Sequence, residues 1–145
     1  MKSNSLLNGL QSAVSGAYSS DLPEVVKVMH TDHEFNTDLL EPELKERVNY
    51  VNMIFQDTIN GGKLFETLYS GVSREQIIEA GRPGTHSEVL AINELIKELK
   101  KAGKFTSMED LHKVTILTKG QTDNGEFQLK FCVNCFYILH EITQK

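Results

Sequence analysis

Apolar positions along the chain fall into two rhythms. Leu44, Val48, Val51, Phe55 and Ile59 recur every three or four residues, the spacing of one helix face. Glu43, Lys45, Glu46, Arg47 and Asp57 lie elsewhere around that helix, Pro42 opens it, and Asn60-Gly61-Gly62 closes it. A second helix starts at His86, carries Val89, Leu90, Ile92, Leu95, Ile96 and Leu99 on a wide apolar face, and ends at Gly103. Phe136, Tyr137, Ile138, Leu139 and Ile142 make a third. Alternation marks strands. Residues 63–70 put Leu64, Glu66 and Leu68 opposite Phe65, Thr67 and Tyr69. Residues 114–118 are apolar and β-branched, a buried strand. The turn signal Asp123-Asn124-Gly125 leads into a strand over 126–131. The stretch 76–80, with its Ile77-Ile78 pair, fits a strand or a helical turn.

The N-terminal part has a weaker pattern. Residues 1–22 are rich in Ser, Asn and Gly, with Leu6, Leu7, Leu10 and Val14 near helical spacing, which predicts a short helix or a flexible lead-in. Pro23 suits a first helical position, so 24–29 are expected to add one or two turns. His30 and His33 follow in an acidic loop and read as solvated side chains. The chain therefore divides into a lead-in over 1–35 and one domain over 36–145. The element order predicts a three-layer α/β domain, a mixed sheet with the helices starting near residues 86 and 135 packed on one face.

Composition changes this picture little. The 145 residues are 39% hydrophobic and 24% charged, ordinary for a soluble globular domain. No apolar run reaches the length of a membrane span, and no signal-peptide pattern opens the chain. The net charge of −5 argues against strong non-specific nucleic-acid binding. It is unevenly spread: residues 1–96 carry 7 basic and 14 acidic groups, residues 97–145 carry 8 and 6. Lys97, Lys100, Lys101 and Lys104 crowd one helix end, where they favour its negative pole. Oligomeric state has no signature in the sequence.

The chemistry concentrates in two short stretches. Thr85-His86-Ser87-Glu88-Val89 opens one helix, and Phe131-Cys132-Val133-Asn134-Cys135, with the only two cysteines, opens another. Two cysteines do not make a disulfide framework and fit a reducing compartment or a metal. Cysteines at i and i+3 in a first helical turn point to one side, so both sulfurs can reach one ion. The positive helix end favours the thiolates that metal binding needs. His86 with Cys132 and Cys135 is the ligand set of a zinc deaminase, in which a Glu two residues after the His shuttles protons. Three protein ligands leave a fourth tetrahedral position for water, the mark of a catalytic zinc. Glu88 would sit beside that water.

Gly84-Thr85-His86-Ser87-Glu88-Val89-Leu90-Ala91 with Cys132-Val133-Asn134-Cys135 resembles the cytidine-deaminase-like superfamily, and within it the deaminase toxins of bacterial polymorphic-toxin systems (the YwqJ-like group). The resemblance covers roughly residues 42–145 in element order and is specific at the two motifs. It implies the cytidine-deaminase-like fold, one Zn²⁺ per chain on His86, Cys132 and Cys135, and Glu88 as proton shuttle. It also implies delivery as the C-terminal part of a larger secreted toxin, action in a recipient cytoplasm, and a cognate immunity protein. Two features depart from the superfamily: Phe131 stands where a proline usually precedes the first cysteine, and ten residues follow Cys135. Substrate contacts are therefore the open part.

The expected reaction is hydrolytic deamination of a nucleobase, first of all cytosine to uracil in nucleic acid, with DNA favoured. A base in a duplex must be flipped out or single-stranded to reach such a site. Arg82, Thr85 and Asn134 adjoin the ligands and are candidates for base or phosphate contacts. Tyr69 and Phe131 are candidates for stacking, against core packing for both. Three rivals stay open: a free nucleoside or nucleotide deaminase, a structural zinc module that binds a protein partner, and a thiol redox protein. A structural site has no use for the Glu88 carboxylate, and a redox pair leaves His86 and Glu88 unexplained.

Overall fold

The computed structural model describes residues 13–122, 125–128 and 137–139. It is an α/β fold whose four-stranded sheet has the order β2-β1-β3-β4. The strands are β1 (Val14–Ser19), β2 (Leu22–His30), β3 (Val114–Thr122) and β4 (Gly125–Gln128). Every pairing among them is antiparallel, where a mixed sheet was expected.

The N-terminal segment is the main correction. Residues 14–30 form a hairpin where a weak helix or lead-in was expected, and β1 lies between β2 and β3. Ala13, Ser15, Ala17 and Ser19 are the buried face of this strand, at a period of two. They are small or polar, so the alternation lacks the large apolar residues by which a strand is usually recognised. Pro23 sits near the start of β2, which is an edge strand and tolerates the missing N–H. On the opposite face Tyr18, Val26, Val28 and Leu117 are exposed, with Val28 and Leu117 flanking Gly16 in register.

Among the described residues the helices up to β3 are α1 (Pro42–Ile59), α2 (Leu64–Leu68), α3 (Arg74–Ala80) and α4 (Ser87–Lys101), and residues 137–139 are helical as well. A 3-10 turn over Met108–Lys113 leads into β3. The expected strand over 63–70 contains α2 instead: Phe65 is its buried residue, and Tyr69, its C-cap, is buried one turn further on. The ambiguous 76–80 stretch is helical, started by a capping box between Ser73 and Gln76.

Helix α4 is the centre of the molecule. Every residue from Ser87 to Asn93 is buried, so its first two turns are covered all round. The helix shares one buried cluster with Ala17 and Val114 of the sheet, with Leu44, Val48 and Val51 of α1, and with Ile138 and Leu139. The Asn93 side-chain carbonyl accepts the Glu41 N–H at 2.7 Å, tying the start of α1 to α4. A second cluster, Ile54, Phe55, Phe65, Tyr69 and Ile77, fills the space between α1, α2 and α3.

Candidate active site

The loop before α4 is built to hold its last residues still. Gly84 has φ +92°, and a Cβ there would lie 2.8 Å from Val48 Cγ1 and 2.9 Å from Thr37 Cγ2. Only glycine allows both that backbone and that approach. Thr85 is fully buried, and its hydroxyl donates to the Arg82 carbonyl at 3.3 Å. The Thr85 carbonyl accepts the Asp32 N–H at 3.0 Å, and the Arg82 guanidinium donates to the Phe35 carbonyl. Loops 31–37 and 81–86 are thus fastened to each other.

His86 follows as the N-cap residue of α4 and makes no side-chain cap bond. It is half-buried, and the exposed His33 ring stands edge-on to it with centroids 6.3 Å apart. From sequence His33 is an ordinary loop residue; the fold sets it against His86.

Glu88, in the first turn, is only 4% exposed. A first-turn carboxylate ordinarily serves the helix dipole from the surface. Burying one costs several kcal/mol unless it is well partnered, so the dipole alone does not account for this placement. Ser87 Oγ lies 3.5 Å from Glu88 Oε1, at the outer limit of a hydrogen bond. Behind it runs a chain of buried hydroxyls: Ser87 Oγ to Ser15 Oγ at 2.7 Å, and Ser15 Oγ to Thr118 Oγ1 at 2.7 Å. An ionised carboxylate only accepts. The chain then has one consistent direction, Thr118 to Ser15 to Ser87 to Glu88. Ser15 and Thr118 were not singled out in the sequence; the period-two Ala-x-Ser-x-Ala-x-Ser of β1 was the available signal.

Cys132 and Cys135, with Phe131 and Asn134, lie outside the described residues. Among the described residues no three His, Cys, Asp or Glu side chains gather to hold a metal. The donor set proposed from the two motifs, one imidazole and two thiols, is of the kind zinc takes. Tyr137, Ile138 and Leu139, directly after the Cys-x-x-Cys, are helical, and the last two are buried with α4.

Tyr69 is placed in the second core cluster. It stacks on Tyr137 at 3.8 Å with the rings 7° apart. Its hydroxyl is buried without a hydrogen-bond partner among the described residues, and burial pushes the phenol well above its ordinary range. Core packing, the alternative weighed for this residue, accounts for it.

The lysines at the end of α4 are largely balanced. Lys97 pairs with Glu94, Lys101 with Glu98, and Lys100 donates to Glu41 at 2.9 Å and Glu43 at 3.0 Å. Those two carboxylates hold the Lys100 ammonium above its usual range.

Beside the loop that carries His86 opens a cleft of about 420 Å³, walled by residues 34–37, by Arg82 and Pro83, and by Asn49, Asn52 and Gln56 of α1. No protein-family model matches the chain, and no curated protein or solved structure shows significant similarity to it.

Proposed function

We propose that the protein is a zinc-dependent deaminase that hydrolyses an exocyclic amine from a nucleobase, with cytosine in single-stranded DNA as the favoured substrate. The observation that carries this reading is the burial of Glu88 two residues after a half-exposed His86 at a helix start. A carboxylate held dry beside a candidate metal ligand is suited to proton transfer and ill suited to anything a surface helix needs. Ile138 and Leu139, which follow the second motif, share the buried core cluster of α4, in keeping with the pairing of the two motifs.

Zinc held by His86, Cys132 and Cys135 would supply a water with its pKa lowered from about 15.7 toward 7. Glu88 takes a proton from that water and delivers it to the ring nitrogen next to the amine-bearing carbon. The carbon gains the oxygen of that water. Glu88 takes the second proton from the new C–O–H group and passes it to the amine nitrogen, and the carbon–nitrogen bond breaks to release ammonia and leave the carbonyl. Ser87, backed by Ser15 and Thr118, keeps the carboxylate aimed through these exchanges. Toxin delivery and an immunity partner rest on the resemblance of the two motifs. A free nucleoside or nucleotide substrate is the second reading, favoured by the neutralised lysines of α4.

The test is sequencing of DNA and RNA from bacteria expressing the protein or Glu88→Gln, with elemental analysis of both purified proteins. The expected result is cytosine-to-uracil change that Glu88→Gln abolishes, one zinc in each protein, and none in a Cys132→Ser, Cys135→Ser double variant. Zinc lost from Glu88→Gln would make Glu88 a ligand and overturn the assignment. So would a zinc-loaded protein that changes no base and leaves free cytidine intact.

A further inference from the structure

The cleft beside the His86 loop has walls of unusual chemistry. Helix α1 carries charge in its first half, with Glu43, Lys45, Glu46 and Arg47. Its second half turns Asn49, Asn52 and Gln56, at i, i+3 and i+7, toward the cleft. These are uncharged groups that both donate and accept. Across from them stand the opposite charges of Glu34 and Arg82. Such a surface sets amide donors and acceptors beside one guanidinium, groups that suit the planar edge of a base with its alternating donors and acceptors. The volume, about 420 Å³, lies within the roughly 300–1,000 Å³ of small-ligand clefts.

Position supplies the second argument. The cleft wall continues, residue by residue, into the candidate site. Glu34 and Phe35 follow His33, which stands against His86. Arg82 and Pro83 precede the Gly84 that is pressed on Val48 and Thr37. The two loops are joined by the Asp32–Thr85 and Arg82–Phe35 hydrogen bonds. The cleft therefore opens beside the pair of loops that carries His33 and His86.

We propose that this cleft binds the nucleobase adjacent to the target base in a single-stranded substrate, and that Asn49, Asn52 and Gln56 read its edge. The assignment rests on the deaminase reading and extends it to the choice of sequence context. Asn and Gln amides are the side chains whose paired donor and acceptor match a base edge, and one good pair discriminates between bases about tenfold or more.

Single-stranded oligonucleotides carrying each base on either side of one cytosine provide the test. Deamination rates are compared for the wild type and an Asn52→Ala, Gln56→Ala double variant. Binding of the same fluorescently labelled oligonucleotides is measured by anisotropy in the Glu88→Gln background. Alanine suits a helix, and a melting curve and zinc content confirm that the variant is intact. A flanking-base preference of about tenfold that the double variant flattens, in rate and in binding, bears the proposal out. If deamination proceeds with no preference, or with one the double variant keeps, the cleft assignment fails and the deaminase reading stands. A binding preference lost in the variant, with no deamination by the wild type, overturns the deaminase reading and with it the flanking-base role, leaving base reading by the cleft alone. No binding and no turnover of any oligonucleotide overturns both.

Discussion

Replacing Gly84 by alanine tests whether the loop that carries His86 is as tightly held as the geometry implies. Two costs add. An L-residue at φ +92° is in the left-handed region, worth about 1–2 kcal/mol. The new Cβ would meet Val48 Cγ1 at 2.8 Å and Thr37 Cγ2 at 2.9 Å, against roughly 3.5–4.0 Å for an unstrained carbon pair. Val48 is 2% exposed and belongs to the main core, so it has little room to yield. Overpacking of this kind costs about 1–3 kcal/mol. The sum, roughly 2–5 kcal/mol, corresponds to a fall in Tm of about 4–20 °C for a chain of this size. Thermal melting and urea unfolding of Gly84→Ala measure it, and a double-mutant cycle with Val48→Ala identifies the cause. Removing both Val48 methyls should make Gly84→Ala cheaper by about 1 kcal/mol or more, leaving the backbone cost and the Thr37 contact in place. A Gly84→Ala cost that is the same in both backgrounds would refute the steric reasoning. A cost below about 0.5 kcal/mol, within the range of ordinary surface substitutions, would refute the idea of a held loop altogether.

Two further outcomes follow from the structure. Ser15→Ala removes the middle of the hydroxyl chain, leaving Thr118 without its acceptor and Ser87 without the hydroxyl that donates to it, whereas Thr118→Val leaves only Ser15 without its donor. Urea unfolding should therefore show a larger loss for Ser15→Ala, each stranded buried hydroxyl costing about 1–3 kcal/mol; equal losses would break the chain as drawn. Asp110 accepts hydrogen bonds from the Thr106 and Ser107 N–H groups and the Thr106 hydroxyl, which hold its carboxyl below the ordinary range. Its folded pKa is depressed, so its stabilising effect is present above the ordinary aspartate value near 4 and is lost as pH falls below it. Asp110→Asn should then lose less stability than the wild type between about pH 4 and pH 2; an unchanged acid slope would contradict this.

The parts of the fold that the sequence made legible are those with large apolar side chains at a fixed period. Helix α1 runs from Pro42 to Ile59 and α4 from Ser87 to Lys101, close to the expected bounds. The strand expected at 114–118 is there and longer, and the strand expected at 126–131 is present as Gly125–Gln128 within the described residues. The misreadings share a cause. A strand over 63–70 puts Leu64, Glu66 and Leu68 opposite Phe65, Thr67 and Tyr69, but neither of those faces is wholly apolar. Phe65 and Tyr69, four apart, instead bury together with Ile54 and Ile77. The Ser73…Gln76 capping box was the local signal that settles α3, and the apolar pair Ile77-Ile78 masked it. Lys97, Lys100 and Lys101 were placed correctly at a helix end, but Glu41 and Glu43, more than fifty residues away in sequence, complete the balance for Lys100. The proximity of His33 to His86 is likewise a product of chain topology that no local spacing encodes.

The strand least legible in the sequence is the one that sets the depth of the candidate catalytic group. On the face of β1 that meets α4, every side chain from Ala13 to Ser19 is Ala or Ser, so the helix can settle close to the sheet. That closeness is what brings Ser87 Oγ within 2.7 Å of Ser15 Oγ. Larger residues there would bury more apolar area but lift the first turn of α4 outward, toward the surface where a first-turn glutamate normally lies. A strand poor in hydrophobic payload is thus compatible with the fold because the core that α4 shares is completed by Leu44, Val48 and Val51 of α1. The division of labour follows: α1 adds apolar burial to the shared core, and β1 supplies proximity and the hydroxyls that reach Ser87, the neighbour of Glu88.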